Sequence, residues 1–185
     1  VRLEQLTGQV GDRVAVEWRS YLLRPEPREP SLEKFRAYTQ SWLRPASMAP
    51  EVSFVPWATE NPQPSHSLPS AVAGKVAASF GPQAWDRYHL ALMRAYFTDN
   101  RTISETEVQV DVARDCGLDP DEFARRLAVD GEELTAQVRQ EHAAAMDQMV
   151  TAVPTVLVND VLPIPGAQEL DVYVNVVERI AARAT

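Results

Sequence analysis

The sequence predicts an α/β protein whose small core is interrupted by a large, wholly helical block. Three observations carry this reading. Arg13 to Leu22 alternates, with β-forming Val14, Val16 and Trp18 on one face. From Ser31 to about residue 130 the apolar period changes from two to 3.6. From Val153 onward, two short strand-like runs meet at Asn159-Asp160 and lead into an amphipathic stretch. The organisation is therefore a core in two parts, residues 1–30 and 131–185, around an insertion at residues 31–130.

Each element has its local signal. Val1 to Leu6 reads as the tail of a helix that Gly8 stops. The strand over Arg13 to Leu22 ends at Arg24-Pro25-Glu26-Pro27 and Pro30, where prolines forbid further ladder pairing. Ser31 caps a helix carrying Leu32, Phe35 and Tyr38 or Thr39. Asn61 to Ser67 is a proline-broken loop before a stripe of Leu68, Ala71, Val72, Val76 and Phe80. Gly81-Pro82 ends that helix, and Trp85, Tyr88, His89, Leu92 and Tyr96 mark the next.

Asp99-Asn100 turns the chain, and Ser104 with Glu107 has the capping-box spacing for a helix that stops at Gly117. Asp119-Pro120-x-Glu122 opens another helix burying Phe123 and Leu127, and Asp130 with Glu133 caps a further one. Val153 to Val158 is a buried strand, Val161 to Ile164 an edge strand marked by Pro163, and Pro165-Gly166 a turn. A last helix turns Leu170, Tyr173, Val177 and Ile180 inward.

The 185 residues, 45% hydrophobic, suffice to bury a real core. A net charge of −8 repels a phosphate backbone, so nucleic acid is not the expected partner. No apolar run reaches the length of about 18 residues that a membrane helix needs, and Val1 to Gln9 lacks the build of a secretory leader. A cytoplasmic location is expected. The single Cys116 leaves no internal disulfide, no Cys-x-x-Cys and no cysteine-based metal cluster, and three separated histidines make no metal site. Cys116 itself falls at a helix C-terminus, where the dipole raises a thiol's pKa and works against reactivity.

Six stretches in order carry a resemblance. They are Val16-Glu17-Trp18-Arg19-Ser20-Tyr21-Leu22-Leu23-Arg24-Pro25-Glu26; Asn61 with His66; Arg94-Ala95-Tyr96-Phe97; Ile103-Ser104; Asp115-Cys116-Gly117-Leu118-Asp119; and Val153-Pro154-Thr155 with Gly166-Ala167-Gln168. Together they resemble the DsbA-like proteins of the FrnE type, a family similar to the 2-hydroxychromene-2-carboxylate isomerases and kappa-class glutathione transferases. The resemblance implies a thioredoxin-like fold with a large all-helical insertion. The family's first strand and its Cys-Pro-x-Cys are not among these residues, and the family favours glycines near where Met149 and Ala152 stand.

By that resemblance the activity is thiol-disulfide exchange on protein or peptide substrates, with the redox dithiol expected upstream of Val1. Val153 and Pro154, joined by a cis peptide bond, would form with Thr155 a rim that pairs with an extended substrate; otherwise Pro154 merely starts a strand. His66 would contact substrate or relay a proton, unless it only bonds locally at a helix start. Trp57, with Trp42, would line a groove between insertion and core, unless both pack in a satellite core. His89 and His142 fall on apolar helical faces and read as core histidines.

The resemblance implies no cofactor other than glutathione, which belongs to an alternative reading as an isomerase or transferase. A third reading is a catalytically inactive peptide-binding module. Loss of a central strand would leave unpaired backbone on both neighbours. Such a chain would have to form a homodimer by strand exchange, rearrange its sheet or be unstable.

Overall fold

The structure is a computed structural model that describes residues 2–28, 31–48 and 52–184. Val1, Pro30 and Pro50 lie outside the described residues. In chain order the elements are α1 (Arg2–Val10), α2 (Leu32–Thr39), α3 (Leu43–Met48), α4 (Leu68–Ala78), α5 (Pro82–Phe97), α6 (Thr106–Asp115), α7 (Pro120–Asp147), β1 (Thr155–Val158), β2 (Leu162–Pro165) and α8 (Leu170–Ala184). They fall into two compact units: Val1–Tyr21 with Glu141–Thr185, and Leu22–Gln140.

In the first unit, α1 and α8 bury Leu6, Val10 and Tyr173, with Val14, Val156, Ile164, Leu170 and Val177 packed around them. Tyr173 and Val177 thus face inward, as their spacing on the last helix requires. The sheet is a single antiparallel pair, with Val156 opposite Ile164 and Val158 opposite Leu162. Asn159 and Asp160 both take positive φ, 51° and 58°, the pattern of a type I′ hairpin turn. The pairing begins one residue later than the sequence suggested, at Leu162, and includes Pro165.

The second unit is helical throughout its regular structure. Ala73, Val76 and Ala77 of α4 meet Ala84, Tyr88, Leu92 and Ala95 of α5, and Val112, Ala113 and Phe123 close the core. The alanines let the α4 and α5 backbones approach, and Tyr88 fills the centre, its ring 5.1 Å from Phe123. The Tyr88 hydroxyl donates to the Gln109 carbonyl at 3.3 Å, so its polar end is satisfied inside the core. A second cluster joins Phe35, Trp42 and Trp57 to Phe54, Tyr96 and Phe97.

Several sequence expectations change. Residues 14–22 form no strand: among the described residues the sheet has only two strands, and neither pairs with this stretch. Alternation supplies one face to bury, but a strand also needs a neighbour's N–H and C=O groups. Without that ladder, Val16 and Trp18 stay 40% and 47% exposed, so the face their alternation supplies is not buried as a strand's would be.

The helix α1 runs through Gly8 and ends at Gly11, whose φ of 61° supplies the left-handed stop. Ser104 does not cap α6; its hydroxyl accepts the Ser65 N–H at 3.2 Å, and Glu105 takes the N-cap place. Asp119 caps α7 as expected, its carboxylate accepting the N–H groups of Asp121 and Glu122 at 3.0 Å each. That helix continues through Asp130 and Gly131 to Asp147, so no new helix starts at residue 130. The division between the compact units falls inside α7, after Gln140.

Candidate functional site

The approach to β1 carries the first group of candidate residues. The Val153-Pro154 peptide bond is cis. The Gly166 N–H donates to the Pro154 carbonyl at 2.8 Å, extending the hairpin by one bond, and the Thr155 hydroxyl donates to the Ala152 carbonyl at 2.7 Å. Gly166 takes φ 76°, which lets the chain turn back immediately after β2. The turn is held in place by the Gln168 side-chain amide, which donates to the Pro165 carbonyl at 2.7 Å. The Gln168 N–H donates to the Tyr173 hydroxyl at 3.2 Å.

Between these fixed points Val153 is 42% exposed, and its own N–H and C=O pair with nothing among the described residues. The result is a ledge, in the bend just before β1, that offers one backbone donor and one backbone acceptor. A peptide strand can pair with such a ledge.

His66 and Trp57 belong to the other unit. His66 stands two residues before α4, half-buried, with the Ser65 Oγ 2.8 Å from its Nδ1. The neighbouring backbone is tied to the segment after Tyr21: Ser67 N–H donates to the Arg24 carbonyl at 2.8 Å, and Arg28 N–H to the Ser65 carbonyl at 3.1 Å.

Trp57 does not line a groove. It is 2% exposed, its ring centroid 5.2 Å from that of Phe35, and its indole N–H donates to the Asn61 carbonyl at 3.0 Å. Trp42, 6% exposed, packs against Tyr96 and Phe97. A flat bicyclic ring buries more apolar area than any other side chain, and here α2 and α5 supply enough aromatic neighbours to enclose both indoles.

The remaining titratable candidates behave as structural groups. His89 stacks flat on Trp85 at 4.7 Å, and burial lowers its pKa below the ordinary histidine value. His142 meets the Tyr21 ring edge-on at 5.0 Å. Burial pushes the Cys116 thiol up, and its Sγ donates to the Ala113 carbonyl at 3.3 Å. No group of three or more ligating side chains among the described residues could hold a metal ion. No helix among them is long and apolar enough to cross a membrane.

Sequence reasoning missed Asn100. It was read as part of a turn, yet it is 1% exposed and organises the whole loop that leads to His66. Its Oδ1 accepts the Ala58 N–H at 2.7 Å, and its Nδ2 donates to the Val55 carbonyl at 3.0 Å. Its own carbonyl accepts from the Asn61 amide at 3.0 Å and the Thr59 hydroxyl at 3.2 Å. The only signal in the sequence was the residue type, since asparagine tolerates the φ of 52° found here.

Comparison with known proteins agrees with this architecture. Residues 1–178 match the model of the DSBA-like thioredoxin domain. The chain is 28% identical over 173 residues to the uncharacterized protein YwbO of Bacillus subtilis, covering 88% of this chain and 80% of that one. Among solved structures, a probable DsbA oxidoreductase from Streptomyces coelicolor superposes with a TM-score of 0.73 at 21% identity, over 100% of this chain and 83% of the other. The cytosolic disulfide reductase DsbM from Pseudomonas aeruginosa superposes with a TM-score of 0.72 at 18% identity, over 97% and 91% of the two chains. At such identities the structural likeness speaks for the fold, and the sequence match for the family. With residues 1–178 matched by that family's model, the chain belongs to the DSBA-like thioredoxin domain family.

Proposed function

We propose that this protein is a thiol-disulfide oxidoreductase of the DsbA-like, FrnE type, working in the cytoplasm on protein or peptide thiols and disulfides. The observation that carries the proposal is the ledge itself: an exposed Val153 with unpaired backbone groups, fixed by Pro154, Thr155 and Gly166, in a member of this family. An extended substrate pairing there would present its sulfur at a fixed distance from the rim. His66 is assigned a substrate contact.

Thiol-disulfide exchange requires an attacking thiolate with a lowered pKa and a second thiol to resolve the mixed disulfide. Cys116 fits neither role, because burial raises its pKa and its sulfur donates to a helix carbonyl. By the family resemblance the dithiol is proposed to precede Val1, within about 15 residues, the span of one strand and a turn. Reading the coding frame upstream of Val1 tests this: a Cys-x-x-Cys is expected there, and its absence would sink the assignment.

Glutathione is the second ligand to weigh, because one solved structural neighbour is DsbM with GSH, at a TM-score of 0.69. On that reading the rim holds a small tripeptide thiol and the protein acts as an isomerase or transferase. Calorimetric titration separates the two readings. Sub-millimolar glutathione binding by a protein that fails to reduce insulin would favour the glutathione-dependent enzyme, and insulin reduction would favour the oxidoreductase.

A further inference from the structure

Ser65 and His66 are adjacent in sequence, and their side chains face each other, Oγ and Nδ1 being 2.8 Å apart. Both flanks of this pair are tied down. The Ser65 N–H donates to the Ser104 hydroxyl at 3.2 Å, and the Ser65 carbonyl accepts the Arg28 N–H at 3.1 Å. One residue further on, Ser67 donates its N–H to the Arg24 carbonyl at 2.8 Å and accepts the Arg24 N–H on its hydroxyl at 3.0 Å. Backbone held at three points, with the Ser67 hydroxyl as a fourth tie, keeps the Ser65 hydroxyl against the same ring nitrogen.

The direction of that bond follows from what each atom can do. A serine hydrogen rotates to suit its surroundings, whereas a neutral imidazole carries one N–H and one bare nitrogen. The bare nitrogen is a stronger acceptor than a hydroxyl oxygen. Among the described residues the Ser65 hydroxyl meets no other acceptor. The favoured arrangement is thus O–H donating to Nδ1.

We infer that Ser65 is a positioning residue that locks neutral His66 in the tautomer with its proton on Nε2. Nε2 is then a donor, suited to an acceptor on the ligand such as a carboxylate, a carbonyl oxygen or a thiolate. It does not serve as a base at that nitrogen. The functional weight of the device rests on the proposed substrate contact, but the tautomer itself does not.

Long-range proton-nitrogen correlation spectra of the nitrogen-15-labelled protein at about pH 8.5, well above the ordinary histidine pKa, test the inference. His66 is assigned by its loss in His66→Gln. The expected spectrum shows an unprotonated Nδ1 and a protonated Nε2 for His66. In Ser65→Ala the two nitrogen shifts move toward each other, and Ser65→Thr restores the separation. A proton on Nδ1 in the unaltered protein, or a Ser65→Ala pattern identical to it, would overturn the inference. The separate question of substrate contact is read by His66→Gln in the intact oxidoreductase. An unchanged KM would remove the contact while leaving the spectral result to decide the tautomer.

Discussion

Asn100 shows how much one buried side chain can hold. Replacing it with alanine removes the part-buried bonds to the Ala58 N–H and the Val55 carbonyl and leaves a side chain with a Cβ at positive φ. Each lost bond costs about 1 kcal/mol and the backbone conformation about 1 more, so Asn100→Ala should lower stability by about 3 kcal/mol. Asn100→Gly should recover only the backbone part. Urea unfolding of the three proteins checks both expectations.

Tyr96 offers a test in pH. Burial, offset in part by Arg24, pushes its phenol up to about 12 from the ordinary value of about 10. The fold accepts the neutral ring, so above about pH 10 the unfolded chain loses the proton first. The contribution of Tyr96 is intact below about pH 10 and is lost as pH rises toward 12. Urea midpoints should therefore fall less steeply over that window in Tyr96→Phe than in the unaltered protein. Phe123 and Tyr88 were legible as core residues from helix spacing alone, and both are fully buried. Trp57 was not, because its enclosure depends on Phe35 and Tyr96, rings distant in the chain.

At the scale of elements, helix starts and stops were read well where a side chain acts on its own turn. Asp119 is such a case: its carboxylate takes the N–H groups of Asp121 and Glu122, and Asp119→Ala should cost about 1 kcal/mol while Asp119→Asn costs little. Signals inside elements misled. Asp130-Gly131 looked like a junction, yet α7 passes through it. A Cβ built at Gly131 meets nothing within 4 Å, and its φ is not in the left-handed range. Gly131→Ala should therefore stabilise the protein by about 1 kcal/mol, the usual gain in a helix interior. Loss of stability on thermal unfolding would mean that the helix breaks there.

The stretch over residues 14–22 fails for the opposite reason. Its period was right for a strand, but pairing is a property of two segments, and among the described residues no ladder partner meets it. Its side-chain contacts remain: Arg19 reaches Asp160 at the hairpin turn at 2.7 Å, and the Ser20 N–H donates to Glu141 at the same distance.

At the scale of the molecule, the hairpin and the closing helix after Pro154 were legible because they follow one another without a gap in sequence. The family follows from the same order. The two thiols could not be read from these residues, which hold only Cys116. On the proposed function this domain performs thiol-disulfide exchange through a pair of thiols that does not include Cys116. The most direct measurement is the redox equilibrium of the intact gene product in glutathione buffers, followed by insulin reduction, with and without Cys116→Ser. One two-thiol couple and catalysed insulin reduction are expected, both unchanged by Cys116→Ser. An intact product that exchanges no disulfides, or one whose exchange vanishes when Cys116 is replaced, would contradict it.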